Sequence, residues 1–186
     1  MNLKTNGIEA AQTEAVGPVF RDILHQFSVI IEIGALNGGF TEWLAENKAK
    51  DTFLLSVEID PERVQNSSNQ NIEYLFGDVF SDAIVYDLSD AISNSAGRAL
   101  VLCDGGNKIR EFAFYVQFLK KDDVIMCHDY GKDAVSFDDY AREQTWKGGP
   151  EVFYDHIKSV VVKYGLAPYL HEQFASVFWG SFIRTK

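Results

Sequence analysis

The sequence has 186 residues, 46% of them hydrophobic, and its 17 basic and 27 acidic residues give a formal net charge of −10. This length suits a single domain, 1–186, with a hydrophobic core of its own. The charge argues against nucleic acid or a membrane surface as partner, because phosphate binding needs clustered Lys and Arg. The longest basic run here is a pair, Lys120 and Lys121.

The N-terminal stretch MNLKTNGIEA lacks the apolar segment of a secretion signal. No window approaches the roughly 18 consecutive apolar residues of a membrane span. Both cysteines, Cys103 and Cys127, lie inside apolar runs, which indicates buried, reduced thiols rather than a disulfide framework. These observations predict a cytoplasmic protein.

Residues 1–10 show no regular pattern and predict a loose start of the chain. Apolar residues then recur at helical spacing over 13–27, so we expect an N-terminal helical segment within 1–27. Gly17 and Pro18 are expected to break its first turn.

From residue 28 onward, short β-branched apolar runs alternate with helical patterns. The predicted strands are 28–33, 53–59, 72–76, 99–103 and 124–127, and the predicted helices are 40–48, 61–66, 82–93, 108–119 and 152–164. Residues 130–150 are polar and rich in Gly and Asp, which indicates a long loop of the kind that can cover an active site. The segments 167–173 and 176–184 alternate apolar and polar residues and predict an antiparallel hairpin. The fold class is therefore α/β, a doubly wound Rossmann-like sheet that is mostly parallel.

Ligands of such sheets bind at the carboxyl ends of the strands. The first strand ends in Glu32-Ile-Gly34-Ala35-Leu-Asn-Gly38-Gly39, whose glycines allow the backbone to approach a ligand closely. The spacing matches neither the dinucleotide loop nor the phosphate loop. Two alternatives stay open for this stretch, a ligand-binding turn and a plain tight turn.

Two more acids follow strands two and three. Glu58 lies 20 residues after Gly38, where an acid can accept hydrogen bonds from both hydroxyls of a ribose. Asp78 follows Gly77 and is placed to accept from the exocyclic amine of an adenine. The alternatives are a surface acid at Glu58 and ordinary Gly-Asp turn chemistry at Asp78.

Strands four and five end in VLCDGGNK and VIMCHDYG, which brings Asp104, His128 and Asp129 to the same edge of the sheet. These ligands suit Mg²⁺, with Mn²⁺ or Fe²⁺ also compatible with the imidazole. Lys108 follows Asp104 by four residues, and a lowered pKa beside a metal would make it a base. Alternatively, Asp104 caps a helix and His128 is a hydrogen-bonded core residue.

The strand ends between residues 28 and 130 together resemble a class I S-adenosylmethionine (SAM)-dependent methyltransferase. The resemblance implies SAM across the first turn, with Glu32, Gly34, Ala35, Gly38 and Asp104 beside it. Because SAM has no pyrophosphate, the unusual glycine spacing fits it. An acid such as Glu32 would suit its cationic methionine end.

Within that class, EIGALNGG and SVEIDPE look most like the metal-dependent O-methyltransferases of the catechol type and of the sugar-, macrolide- and cephalosporin-pathway branch. This implies Asp104 and Asp129 as ligands of a Mg²⁺ that lowers the pKa of a substrate oxygen. It also implies Lys108 as the basic lysine, followed by in-line methyl transfer.

Three positions depart from that family pattern. Leu36 replaces a frequent middle glycine, His128-Asp129 replaces a carboxylate–carboxamide or paired-acid ending, and Lys108 comes one residue late. The departures leave His128 itself as a second candidate for the general base.

The leading hypothesis is therefore a SAM-dependent O-methyltransferase acting on a small hydroxylated molecule or sugar. Two alternatives remain: an NAD-binding oxidoreductase on a similar sheet, and a SAM- or nucleoside-binding protein without chemistry. The apolar segment QFASVFWGSFI at 173–183 suggests a homodimer, although core packing explains it equally well.

A titration separates the first two hypotheses. We expect calorimetry to show saturable binding of SAM and none of NAD, because the glycine spacing excludes a pyrophosphate loop. Tight NAD binding without SAM binding would overturn the methyltransferase hypothesis.

Overall fold

The computed structural model describes residues 1–65, 69, 71–131 and 151–186. Strands and helices alternate along most of this chain. In order they are β1 (Asn2–Thr5), β2 (Ile8–Thr13), α1 (Val16–Leu24), β3 (Phe27–Ile33), α2 (Gly39–Asn47), β4 (Phe53–Glu58), β5 (Glu73–Phe76), α3 (Asp82–Ser93), β6 (Arg98–Cys103), α4 (Lys108–Tyr115) with a 3₁₀ turn (Val116–Phe118), β7 (Val124–Cys127), β8 (Tyr130–Gly131), β9 (Val152–Phe153), α5 (Tyr154–Lys163), β10 (Leu166–Pro168), α6 (His171–Ala175) and β11 (Gly180–Arg184).

Seven strands form the central sheet in the order β10-β11-β7-β6-β3-β4-β5. The five strands from β7 to β5 are parallel, and β11 runs antiparallel to both β7 and β10. The predicted Rossmann-like α/β fold, mostly parallel with an antiparallel C-terminal pair, is confirmed.

The central strand β3 is buried on both faces, which explains its continuous apolar run. Val29, Ile31 and Ile33 face one core cluster, while Phe27 and Ile30 face the other. Residues 29–33 follow the two-residue period of a strand, whereas a register shift between Phe27 and Val29 turns Phe27 to the opposite face. Helices are therefore needed on both sides of the sheet.

The strand order reverses between β3 and β6. From β3 the chain moves outward through β4 and β5, and it returns to the opposite side of β3 with β6. The chain continues from β3 into α2 on one face of the sheet and from β6 into α4 on the other face, and the crevice at such a switch point is the usual ligand position in these sheets.

The prediction for the N-terminus is wrong, because residues 1–13 form a hairpin instead of a loose or helical start. Thr5 pairs with Ile8 across the two-residue turn Asn6-Gly7, whose φ values of 53° and 84° are those of a hairpin turn of type I′. The only helix of this segment is α1. Pro18 lies in its first turn, where a missing N–H costs nothing.

The hairpin packs directly on the start of α2. A Cβ at Gly39 would lie 2.6 Å from the backbone nitrogen of Ala10, so only glycine permits this approach. Asn37 Nδ2 also donates to the carbonyl oxygen of Glu9. The N-terminal hairpin is therefore a fixed wall beside the crevice.

The predicted helix at 61–66 and the predicted C-terminal hairpin need correction, and the predicted lid stays open. Residues 61–65 form turns where a helix was predicted, and α6 interrupts the C-terminal hairpin where a strand was predicted to continue to residue 173. Most of the predicted loop 130–150 lies outside the described residues, so its role as a lid stays a prediction.

The structure also answers smaller questions. Cys103 and Cys127 are buried and form no disulfide. They lie opposite each other on the neighbouring strands β6 and β7. In the C-terminal apolar segment, Phe174, Trp179 and Phe182 are fully buried in the core, so this segment gives the homodimer prediction no support. In the part of the chain that the structure describes, no helix has the length and apolar character to cross a membrane.

A test of the crevice geometry is the substitution Gly34→Ala. Gly34 has φ +95°, and a Cβ there would overlap the carbonyl oxygen of Asp104 and lie 2.8 Å from Gly105 Cα. We expect a loss of about 2–4 kcal/mol in the free energy of unfolding, measured by urea denaturation.

The matched control is Gly106→Ala, where a Cβ meets nothing within 4 Å. This variant should stay within about 0.5 kcal/mol of the wild type. Equal stability of the two variants would contradict the close packing of the two loops.

Candidate active site

A cleft of about 520 Å³ opens at the carboxyl ends of β3, β4 and β6. Its volume lies within the range of roughly 300–1,000 Å³ that small-molecule sites occupy. Six of the seven predicted cofactor residues line it: Glu32, Gly34, Ala35, Glu58, Asp78 and Asp104. Gly38 is outside this lining and instead forms the left-handed N-cap of α2, with φ 84°.

The turn after β3 is fixed by backbone hydrogen bonds. The N–H groups of Gly34 and Ala35 both donate to the carbonyl oxygen of Val57, at 2.9 and 3.0 Å. Gly34 lets the loop after β6 come into contact with this turn. The floor of the cleft is therefore built from backbone that no side chain obstructs.

Glu58 closes one side of the cleft and holds the turn in place. Its carboxylate accepts hydrogen bonds from the backbone N–H groups of Leu36 at 2.8 Å, Ile59 at 3.0 Å and Asp60 at 3.2 Å. The bond to Leu36 helps to hold this leucine in its left-handed conformation, with φ 54°. A carboxylate has about four lone-pair sites, so Glu58 keeps capacity for a ligand hydroxyl.

Glu32 lies at the floor of the cleft and is 1% exposed. Its Oε2 atom accepts hydrogen bonds from the hydroxyls of Thr41 and Ser56. Burial raises the pKa of Glu32 to about 7, against the opposing effect of these two hydrogen bonds. A cationic ligand in the cleft would favour its ionised form.

Asp78 makes the turn hydrogen bond that was one of the two alternatives, and its binding of an adenine stays a prediction. Its Oδ1 atom accepts a hydrogen bond from the N–H of Phe80 at 2.9 Å, which is ordinary turn chemistry. The residue also lines the cleft, on the side of β5. The turn bond fixes the side chain without excluding a ligand.

Asp104, His128 and Asp129 converge as expected, with ligand atoms that all lie within 4.8 Å of one another. Asp104 Oδ1 is 3.0 Å from His128 Nδ1, and Asp129 Oδ1 is 3.6 Å from the same nitrogen. Asp129 has φ 52°, a left-handed conformation that is uncommon outside glycine. Two carboxylates and one imidazole form a donor set that fits a divalent ion.

Lys108 lies beside this cluster and is surrounded by three carboxylates. The ammonium is 2.8 Å from Glu151 Oε2, 3.1 Å from Asp129 Oδ2 and 3.8 Å from Asp104 Oδ1. Burial lowers the pKa of Lys108, but the hydrogen bond to Glu151 and the two other carboxylates outweigh it, so the pKa lies above its ordinary value. The lowered pKa was expected beside a bound metal ion, and therefore both that expectation and the assignment of Lys108 as a base stay predictions.

His128 is held between a carboxylate and an aromatic ring. Burial lowers the pKa of His128, but the charge of Asp104 and its hydrogen bond to Nδ1 more than compensate, so the net shift is upward. Its ring centroid lies 4.8 Å from that of Trp179. With Nδ1 directed at Asp104, Nε2 is the ring atom that can accept a proton.

Sequence reasoning missed two residues of the site, Gln12 and Glu151. Gln12 Nε2 donates to Asp104 Oδ2 at 2.5 Å, so the N-terminal hairpin reaches the centre of the site. The sequence signal for the hairpin that carries Gln12 was the Asn6-Gly7 dipeptide, followed by a strand in which buried and exposed residues alternate. Glu151 directly follows the segment predicted as a loop, and nothing local marks it as a partner of Lys108.

The cleft carries a negative charge overall. Its lining includes five acidic side chains (Glu32, Glu58, Asp78, Asp104 and Glu111) and two basic ones (Arg63 and Arg110). Such a lining favours a ligand with a positive charge over one with phosphate groups.

No family model and no curated protein matches this sequence. Solved structures do match its fold. A structure described as "cmcI-D160 Mg-SAM" superimposes with a TM-score of 0.69 at 16% identity, over 98% of this chain and 76% of that one. The O-methyltransferase TomG from Streptomyces achromogenes, involved in tomaymycin synthesis and in complex with SAM, gives 0.55 at 13% identity over 95% and 82%.

A third match is the methyltransferase MycE from the mycinamycin biosynthetic pathway, in complex with Mg, SAH and mycinamycin VI. It gives a TM-score of 0.50 at 16% identity, over 92% of this chain and 45% of that one. The chain therefore has the fold of the class I SAM-dependent O-methyltransferases, as the sequence motifs predicted.

The pKa of Glu32 has a measurable consequence. Its value near 7 in the folded state exceeds the ordinary 4.5, so stability falls as pH rises from about 4.5 and the loss is complete above 7. The variant Glu32→Gln lacks this titration. Between pH 5 and 8, its free energy of unfolding should rise by about 2–3 kcal/mol relative to the wild type.

Urea denaturation in the presence of EDTA measures this difference, because the chelator keeps metal ions away from neighbouring Asp104. The exposed Glu46 provides the control variant, Glu46→Gln, whose curve should run parallel to that of the wild type. A Glu32→Gln curve that is also parallel would contradict the raised pKa.

Proposed function

We propose that this protein is a SAM-dependent O-methyltransferase that acts on a hydroxyl of a small molecule, with assistance from a divalent cation. One observation carries the proposal: the side chain of Asp104 belongs both to the cleft and to the Asp104–His128–Asp129 cluster. A methyl donor in the cleft and a substrate at the cluster would thus meet at a single residue.

The cleft suits SAM in both shape and charge. Glu58 offers its carboxylate to the ribose and Asp78 to the adenine, while Glu32 and Asp104 supply negative charge for the methionine end. When bound, SAM supplies the methyl group as a sulfonium. The NAD alternative loses support, because its pyrophosphate would lie among five carboxylates and has no loop of the required spacing.

The cluster suits Mg²⁺ or Mn²⁺. When bound, the ion stabilises the negative charge of a substrate oxygen. Asp104 and Asp129 offer carboxylate oxygens for it, while His128 keeps its Nδ1 hydrogen-bonded to Asp104 and does not complete the ligand set. Lys108 orients Asp129, since its ammonium contacts that carboxylate.

Of the two candidate bases, the geometry favours His128. Asp104 holds Nδ1 of its ring, and Nε2 is left to accept the proton of the substrate hydroxyl. Asp104 then stabilises the imidazolium that forms. Lys108, which three carboxylates keep protonated, fits the role of a fixed positive charge that neutralises the cluster.

Mn²⁺ binding tests the cluster without relying on turnover. We expect the substitution Asp129→Asn to weaken Mn²⁺ binding by about tenfold or more, measured by electron paramagnetic resonance, because it removes one ligand charge. The affinity for SAM should change less than about twofold, because Asp129 is not part of the cleft lining.

The control is Asp87→Asn, an exposed acid on α3 that should leave both affinities unchanged. Unchanged Mn²⁺ affinity in Asp129→Asn would rule out the cluster as the metal site. Formation of SAH from SAM with a panel of hydroxylated small molecules then tests the reaction. SAM binding without SAH formation across the panel would favour the non-catalytic alternative.

A further inference from the structure

Gln12 lines the cleft and carries a buried acceptor atom that nothing in the described chain satisfies. The side chain belongs to β2, is 4% exposed and lines the cleft. Its Nε2 atom donates to Asp104 Oδ2. Its Oε1 atom is buried and has no hydrogen-bond partner among the residues that the structure describes.

Asp104 fixes the orientation of this amide. A carboxylate only accepts hydrogen bonds, so the NH₂ group must face Asp104, and the reversed amide would set two acceptors against each other. Oε1 therefore needs a donor from elsewhere. An unsatisfied buried acceptor costs free energy, which a ligand donor would recover on binding.

The order of strands indicates which part of a ligand reaches Gln12. Asp78 and Glu58 lie on the β5 and β4 side of β3, whereas Asp104 and Gln12 lie on the β6 side. With adenine and ribose at the former pair, as the proposed function has it, the methionine end of SAM extends toward the latter. The group there that can donate a hydrogen bond is the α-ammonium.

We propose that Gln12 Oε1 accepts a hydrogen bond from the α-ammonium of SAM, so that the N-terminal hairpin binds the amino-acid end of the methyl donor. This inference rests on the proposed function. The charge of the surroundings supports it, because Glu32 and Asp104 line the same cleft and favour a cation.

The hairpin is built to hold Gln12 in place before the ligand binds. Gly39 allows close backbone contact with Ala10, and Asn37 donates to Glu9, two and three residues before Gln12. The amide itself is anchored on Asp104. Binding therefore requires little further ordering of this side chain, which favours affinity.

Calorimetry with two ligands tests the proposal. SAH carries the α-ammonium, and 5′-deoxy-5′-methylthioadenosine lacks the whole amino-acid end. Gln12→Met preserves the length of the side chain but removes the acceptor. We expect it to weaken SAH binding about tenfold, or about 1.4 kcal/mol, and methylthioadenosine binding less than twofold.

A second variant separates the effect of ligand binding from the effect of losing the hydrogen bond to Asp104. Gln12→Lys keeps a donor toward Asp104 but places a cation where the ammonium would bind, so it should weaken SAH at least as much as Gln12→Met does. Gln117→Met, at an exposed glutamine outside the cleft lining, is the matched control and should bind both ligands as the wild type does. Thermal melting monitored by circular dichroism checks that each variant is folded.

Each outcome has a defined meaning. A selective loss of SAH affinity in both Gln12 variants supports the proposal. Unchanged SAH affinity in either variant, or equal loss for the two ligands, overturns it while the proposed function stands. If the wild type binds neither ligand, the proposed function fails and the role of Gln12 fails with it.

Discussion

The close approach of two backbone turns at the switch point of the sheet is the constraint on which the rest of the site depends. Gly34 meets the carbonyl group of Asp104, and the N–H of Asp104 in turn donates to Ile33 at 2.9 Å. This contact fixes the position of the Asp104 backbone and therefore the point from which its side chain extends. Because Asp104 joins the cleft to the cluster and anchors Gln12, three parts of the site take their positions from one backbone contact.

Charge organises the same region. Acidic side chains line the cleft and the neighbouring cluster, and burial would make their mutual repulsion costly. The molecule limits that cost in two ways that differ in character. Burial raises the pKa of Glu32, so this carboxyl group can hold a proton. Lys108 instead contributes a permanent positive charge among three carboxylates. A ligand that brings positive charge into the cleft therefore neutralises negative charge that the protein's own residues leave uncompensated.

Most strands of the central sheet and the residues at their carboxyl ends could be predicted from the sequence, because both follow from local patterns. Strands buried on two faces produce continuous apolar runs, and side chains just after parallel strands must share one edge. The hairpin was also marked locally, by Asn6-Gly7, but small residues in IEAAQT weaken the apolar alternation. The Gln12–Asp104 bond spans 92 residues and the Lys108–Glu151 bond spans 43, so no local pattern could reveal either one.

The N-terminal hairpin forms a two-stranded sheet of its own, separate from the seven-stranded sheet. Its strands share no ladder hydrogen bonds with the strands that build the core. The side chain at position 12 can thus be exchanged without altering the register of the central sheet. If Gln12 has the proposed role, evolution can change the recognition of one end of a ligand in the hairpin while the central sheet is preserved.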